Sequence, residues 1–218
     1  MIAGDVWAVV PIKETAQAKQ RLAAALPEAL RAQLALAMAS DVLAALAAVR
    51  GLAGILVVTI DEAAAALAQR HGARVIAEGA RDGQTGAVSA AAALLARERR
   101  HAMLALPGDL PLVTPDEIEL VLEAHTRRQD FVIAPAHDGR GSNAILCAPP
   151  TLVPLAFGND SFLPHLAASR RAGIEPRILH LPGIGLDIDN PQDLAAFLKV
   201  ASAGRAHALL AAAGVNLA

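Results

Sequence analysis

Residues 6–22 read V-W-A-V-V-P-I-K-E-T-A-Q-A-K-Q-R-L. Val6 to Val10 is an apolar, β-branched run of strand length, and Pro11 ends it. A loop bearing Lys13, Lys19 and Arg21 follows. From Glu28 to Val49 the apolar spacing and the lack of breakers predict a long helix. Strand, cationic loop and helix in that order open an α/β domain, in which ligands bind beyond the carboxyl ends of the strands. Arg offers phosphate a planar fork of donors and Lys a mobile point charge. A solvated basic loop explains this segment equally well, so the rest of the chain decides.

The alternation continues. Gly54 to Ile60 reads as a second strand, Ala63 to His71 as a helix stopped by Gly72, and Arg74 to Ala77 as a third strand. Asp82-Gly83 is expected to turn the chain into a helix over Thr85 to Arg100. A fourth strand spans His101 to Leu106, a helix Pro115 to Arg128 with Thr114 as its cap, and a fifth strand Phe131 to Ala134. This order predicts a mostly parallel sheet with helices on both faces. Beyond Pro135 the chain becomes loop-rich, with strands at Ala144 to Ala148 and Arg177 to Leu181. Helices are expected over Ser161 to Arg171 and from Asn190-Pro191 to Lys199. One domain over residues 1–200 is expected, then a tail over 201–218 that is a short helix or partly disordered.

Composition narrows the function. The 218 residues are 55% hydrophobic and 18% charged, enough apolar material for a sizeable core. The net charge of -2 argues against a sequence-independent nucleic-acid binder, and the absence of Tyr leaves few surfaces for stacking bases. Mean hydropathy is +0.42, but the apolar runs are broken; the longest, Leu34 to Val49, holds Ser40 and Asp41, so no membrane span is expected. The N-terminus lacks the basic start of a signal peptide, and the single cysteine, Cys147, sits in an apolar run and reads as a core residue. A cytoplasmic protein, monomeric or homodimeric, is expected.

Three groups of residues carry chemistry. Asp109, in L-P-G-D-L-P, stands directly after the fourth strand, where a carboxylate suits Mg²⁺; a turn-forming Asp is the plainer alternative. In D-I-D, Asp187 and Asp189 point the same way if the segment is extended, with Ile188 turned inward. Carboxylates held that close repel, and a divalent cation relieves the repulsion; helix capping explains one of them but not both. The loops at 137–143 and 157–161 supply Gly139, Gly141 and Gly158 for close backbone approach, and Ser142, Asn143 and Ser161 as donors to anionic oxygens. Ser161 also suits a helix N-terminus, which favours anions. Gln84, in Asp82-Gly83-Gln84-Thr85, either contacts a base or ribose or merely turns the chain, and His165 reads as packed sooner than as a ligand. Together these suit a metal–nucleoside triphosphate, although no Walker pattern, G-x-G-x-x-G, Cys/His cluster or Gly-x-Ser-x-Gly is present.

The motifs P-I-K-E-T-A-Q-A-K-Q-R-L, L-P-G-D-L-P, D-G-R-G-S-N, F-G-N-D-S-F-L-P-H and L-D-I-D-N-P-Q-D-L occur in this order between residues 6 and 199. Each is weak singly, but the series resembles the CofC/FbiD guanylyltransferases of coenzyme F420 biosynthesis, within the nucleotidyltransferases that include molybdenum-cofactor guanylyltransferase. The resemblance implies a single Rossmann-like nucleotidyltransferase domain. It implies transfer of GMP from GTP to 2-phospho-L-lactate, phosphoenolpyruvate or 3-phospho-D-glycerate, with release of pyrophosphate. It assigns Lys13, Lys19 and Arg21 to the GTP phosphates and Gln84 to the nucleotide. Asp109, Asp187 and Asp189 would bind Mg²⁺, two ions in all, and Ser142, Gly158 and Ser161 the phospho-acid. Asp109, Lys19 and Arg21 form the catalytic set. The family loop more often reads Gly-Thr-Asn than Gly141-Ser142-Asn143, and the base-side loop Gly-Leu-Asn rather than Gly83-Gln84-Thr85.

Two other readings compete. A sugar-phosphate nucleotidyltransferase would carry Gly-Gly-x-x-x-Arg after the first strand, and a D-x-D glycosyltransferase would place that motif after a central strand; neither holds here. A non-catalytic nucleotide-binding module would gain nothing from Asp187 beside Asp189.

Overall fold

A computed structural model describes residues 5–158 and 160–215, the Gln17 side chain excepted. Sequence readings at 1–4, at 159 and at 216–218 lie outside the described residues. The strands are β1 (Val6–Pro11), β2 (Gly54–Val58), β3 (Arg74–Ile76), β4 (Ala102–Ala105), β5 (Asp130–Pro135), β6 (Ser142–Ala148) and β7 (Arg177–Ile178). The helices are α1 (Glu28–Ala48), α2 (Glu62–Arg70), α3 (Gly83–Arg97), α4 (Pro115–Ala124), α5 (Phe162–Arg171), α6 (Pro182–Gly185), α7 (Pro191–Leu198) and α8 (Arg205–Ala212).

The strands form one sheet in the order β3-β2-β1-β4-β6-β5-β7. β1 pairs in parallel with β2 and β4, β2 with β3, and β5 with β7. β6 runs antiparallel to both β4 and β5. The sequence predicted a mostly parallel sheet, and the exception has a simple cause. Only residues 136–141 separate β5 from β6, and a parallel return needs a crossover of a dozen residues or so.

Strand periodicity explains why the core has two sides. Along β1, Ala8 and Val10 point to the face covered by α1, α2 and α4, and Val9 points to the face covered by α3. Both sets are buried, so the strand is apolar without alternation, as a strand covered on two faces must be. A third cluster joins α1, α7 and α8 through Leu34, Met38, Phe197 and Leu210. Among the described residues α1 alone is long and apolar enough to cross a membrane, yet half of that stretch is buried within the protein. Its Asp41 carboxylate accepts the first N–H groups of α8, from Arg205 and Ala206, at 2.7 and 2.9 Å. A mid-helix aspartate thus caps a neighbouring helix that packs into the core.

Several boundaries differ from the sequence reading. α3 begins at Gly83, so Gln84 lies in its first turn and not in a preceding loop. α4 stops at Ala124 and not at Arg128, because the Asp130 carboxylate accepts the N–H groups of Thr126 and Arg127 and draws the chain out of the helix. The strand expected over Arg177 to Leu181 is assigned only at Arg177 and Ile178, with the Leu179 N–H still donating to the Ile133 carbonyl, and α6 begins at Pro182. The Glu117 carboxylate of α4 clasps α6 by accepting from Gly183 and Ile184. A Cβ at Gly183 would stand 2.3 Å from the Leu112 carbonyl oxygen, so this clasp requires glycine.

Candidate active site

The chain leaves β1 and β4 at the same edge, and strand order reverses between them: β2 and β3 extend one way, and β6, β5 and β7 the other. Such a switch point leaves a crevice at the carboxyl ends of the strands. Here it is a cleft of about 1220 Å³. Its walls carry all ten residues that the family resemblance assigned to the site: Lys13, Lys19, Arg21, Gln84, Asp109, Ser142, Gly158, Ser161, Asp187 and Asp189. Of the other residues noted in the sequence, Gly141 and Asn143 also line it, and Gly139 and His165 do not. A smaller cavity, about 460 Å³ and lined by Arg99, Arg100 and Arg128 among others, contains none of them.

The floor is acidic. The Ile188 N–H donates to the Asp109 carbonyl at 3.3 Å, tying the D-I-D segment to the loop after β4. Ile188 is fully buried while Asp187 and Asp189 face the cleft, as extended alternation requires. Lys19 lies between the carboxylates: its Nζ donates to Asp109 Oδ2 at 2.6 Å and to Asp189 Oδ1 at 2.9 Å. The cation expected to meet phosphate is therefore committed to carboxylates in this structure. Its backbone is left-handed, φ 54°, a region other residues than glycine seldom occupy; the two ion pairs fix it there. Burial alone would lower the Lys19 pKa, but Asp109 and then Asp189 outweigh it and drive it above its ordinary value. Burial would raise the Asp189 carboxyl, yet Lys19, Arg21 and Lys13 hold it below the usual range. Asp187 is pushed up, first by burial and then by Asp109 and Asp189, despite the bond from Asn143.

Asn143 was expected to face an anionic ligand. It instead donates through Nδ2 to the Ile184 carbonyl at 2.9 Å and to Asp187 Oδ1 at 3.0 Å, and so fixes the direction of that carboxylate. Asp193 supports the next residues, accepting from the N–H groups of Asp189 and Asn190 while Asn190 caps α7.

The floor suits a hard cation. Two carboxylates, Asp109 and Asp189, flank one buried ammonium, Asp187 lies close to both, and Asp109 Oδ1 is buried with no hydrogen-bond partner. A buried carboxylate oxygen without a partner is costly, and a divalent ion would satisfy it. Among the described residues no three carboxylate, imidazole or thiolate groups converge tightly enough to hold an ion by themselves. Mg²⁺ needs only one or two carboxylates when substrate phosphate and water complete its shell.

Sequence reasoning missed the residue that holds the cationic loop. Asp61, between β2 and α2, accepts from Thr15 N at 2.8 Å, Thr15 Oγ1 at 2.7 Å and Ala64 N at 2.9 Å. It caps α2 and pins the loop at once. The cap was readable from the sequence, but a partner 46 residues away was not. Asp61→Ala should free the loop, and trypsin should then cut after Lys13, Lys19 or Arg21 about tenfold faster under native conditions. An unchanged cleavage rate would mean that Thr15 does not anchor it.

The opposite wall is neutral and hydroxyl-rich. Thr85 Oγ1 accepts the Phe157 N–H at 2.9 Å, docking the Gly158 loop on α3. Arg140 bridges to Asp160 across the two glycine-bearing loops. Behind them Ser142, Ser161 and His165 are buried and share hydrogen bonds. Burial lowers the His165 pKa to about 4. The unfolded chain therefore takes up a proton near pH 6.5 that the folded chain refuses until about pH 4, so stability falls with pH in that window. Between pH 7.5 and 5 the wild type should lose about 2 kcal/mol more than His165→Asn in urea titrations. Equal losses would contradict a neutral imidazole. Cys147, read as core, is buried, and burial pushes its thiol up to about 11.

Known proteins bear on this geometry. A family model described as guanylyl transferase CofC like matches residues 6–217. The phosphoenolpyruvate guanylyltransferase of Rubrobacter xylanophilus is 38% identical over 191 residues, covering 88% of this chain and 92% of that protein. Its counterpart from Nocardia farcinica is 37% identical, covering 94% and 90%. A crystal structure from Desulfovibrio desulfuricans, assigned to the nucleotide-diphospho-sugar transferases, superposes with a TM-score of 0.77 at 18% identity, covering 97% and 96% of the chains. A Leptospira borgpetersenii cytidylyltransferase gives 0.60 at 12% identity, covering 99% and 98%. At such identities the structural matches speak for the fold alone, a single Rossmann-like domain. The family match and the sequence relatives go further: this chain is an enzyme of the nucleotidyltransferase class and belongs to the CofC-like guanylyltransferase family.

Proposed function

We propose that the enzyme transfers GMP from GTP to phosphoenolpyruvate or a closely related phosphorylated three-carbon acid, in coenzyme F420 biosynthesis. The observation that carries this reading is the division of one cleft into three chemical zones: a cationic loop, a carboxylate floor and a hydroxyl-lined wall. In the reaction a phosphate oxygen of the acid attacks the α-phosphorus of GTP in line. A new P–O–P bond forms, the α–β bridge breaks, and pyrophosphate leaves with the electron pair. Lys13 and Arg21 would hold the phosphates at the mouth, and Gln84, in the first turn of α3, would meet the nucleoside. Ser142, Gly158 and Ser161 would seat the acid. Asp109, Asp187 and Asp189 would bind Mg²⁺, which when bound neutralises phosphate charge and stabilises the leaving group. Phosphate is already a nucleophile at neutral pH, so the chain's work is to position and neutralise two anions. The buried, neutral His165 is accordingly not needed as a base.

The three candidate acids differ by a methyl, a methylene or a hydroxyl, differences of about 1–3 kcal/mol in pocket recognition. Phosphoenolpyruvate is favoured because the relatives carry that activity in their names. The test is pyrophosphate release with GTP and Mg²⁺, run separately with phosphoenolpyruvate, 2-phospho-L-lactate and 3-phospho-D-glycerate. Release with one acid, and not with sugar phosphates, supports the reading; silence with all three, from folded protein, rejects it.

A further inference from the structure

The hydroxyl-lined wall contains a hydrogen-bond chain whose direction a backbone N–H fixes from Ala156 through His165 to Ser142. The backbone N–H of Ala156 donates to His165 Nε2 at 3.0 Å. That nitrogen is therefore the acceptor, and in a neutral imidazole the proton must reside on Nδ1. His165 Nδ1 lies 2.9 Å from Ser142 Oγ, so it is the donor in that pair. Ser161 Oγ donates to the same Ser142 oxygen at 3.2 Å. A serine hydroxyl has two lone pairs and one proton. His165 takes one lone pair of Ser142, and with Ser161 donating to the other the Ser142 proton points into the cleft, which Ser142 lines.

From this geometry we infer that His165 is a positioning residue: its fixed tautomer occupies a lone pair of Ser142 and directs that hydroxyl to donate toward an oxyanion of the phospho-acid. The inference rests on the phospho-acid reading given above. It adds a residue that touches no substrate and a chemical preference for the acid's anionic oxygen over a hydroxyl or ammonium at that position. Several features hold the ring in this role. Its burial keeps it neutral, and Phe157 packs edge-on against it with centroids 5.1 Å apart. The Ala156–Phe157 segment that sets the tautomer is itself bonded to Thr85 of α3. Without the imidazole a lone pair of Ser142 is freed, so its hydroxyl can accept as well as donate at the cleft.

The test separates this role from plain packing. His165→Leu removes the donor, His165→Asn keeps an N–H near the Nδ1 position, and Ser142→Ala removes the hydroxyl through which His165 acts. With phosphoenolpyruvate and Mg–GTP, His165→Leu and Ser142→Ala should each raise the acid's KM about tenfold or more, while direct titration shows Mg–GTP binding unchanged. His165→Asn should stay within about threefold of wild type, and the Leu/Ala double variant should be no worse than Ser142→Ala alone. Additive effects, or a wild-type acid KM in His165→Leu, would overturn the inference. Nitrogen-15 NMR of the wild-type histidines gives a readout independent of turnover and of any variant's folding: His165 should be protonated on Nδ1 at neutral pH, and the Nε2–H tautomer would refute the relay. If the wild type releases no pyrophosphate with any acid, the functional reading fails and the inference falls with it. If it does and the variants behave like wild type, only the His165 role falls.

Discussion

Asp109→Asn should lower nucleotidyl transfer about a thousandfold or more while leaving the protein folded. The change removes one charge and keeps the shape. The amide oxygen can still accept from Lys19, now at 2.6 Å from Asp109 Oδ2, so the loop after β4 should retain its contact. What is lost is the anionic character of the group whose other oxygen, Oδ1, is buried and unpartnered. A neutral amide there is a poor ligand for a hard divalent ion, and the nucleotide's own negative charge is left less compensated. The check is pyrophosphate release across a Mg²⁺ titration, with thermal unfolding in parallel. Rates within tenfold of wild type would dismiss Asp109 as a metal residue.

Lys19→Met should act in two directions. Lys19 competes with any divalent cation for Asp109 and Asp189, so its removal should strengthen binding of Mg²⁺ alone about tenfold. The same change should reduce transfer about a hundredfold, because it removes a positive charge from a site that must bring two anions together. Without metal the variant should also lose about 1–3 kcal/mol of stability, since carboxylates that faced an ammonium now face one another. That figure is kept modest because Asp109 and Asp189 side chains are 26% and 46% exposed, and water screens part of the repulsion. Added Mg²⁺ should recover the loss, read as a larger rise in Tm than in the wild type. Equal Mg²⁺ affinity in the two proteins would show that the ammonium and the metal do not share these carboxylates.

Much of this molecule was legible in its sequence because short-range physics wrote it. Val6 to Val10, Gly54 to Val58 and Ala102 to Ala105 are apolar runs of strand length, and alternation with helical segments implies a sheet covered on both faces. Pro115 after Thr114 and Pro191 after Asn190 mark helix starts through local backbone chemistry. The D-I-D alternation foretold that Asp187 and Asp189 face one side while Ile188 enters the core, since the period of an extended chain is two. The ten residues assigned by the family resemblance reached one cleft because they sit in loops and at element ends along one edge of the sheet.

The tertiary structure alone decided what depends on distant partners. Asp61 holds Thr15, Asp41 caps α8, Glu117 clasps α6, and Asn143 aims Asp187, each through residues far apart in the chain. Short side chains have no sequence signature for a partner the fold brings close. Lys19 could be read as a cation but not as one seated between two carboxylates, since that depends on how three loops meet. The tautomer of His165 was settled by a backbone N–H from the loop before Gly158. Sequence supplied the residue types and their order, because hydrophobic period and backbone preference act locally. Partner, direction and protonation came from packing, because hydrogen bonds and charges respond to whatever lies within a few ångströms.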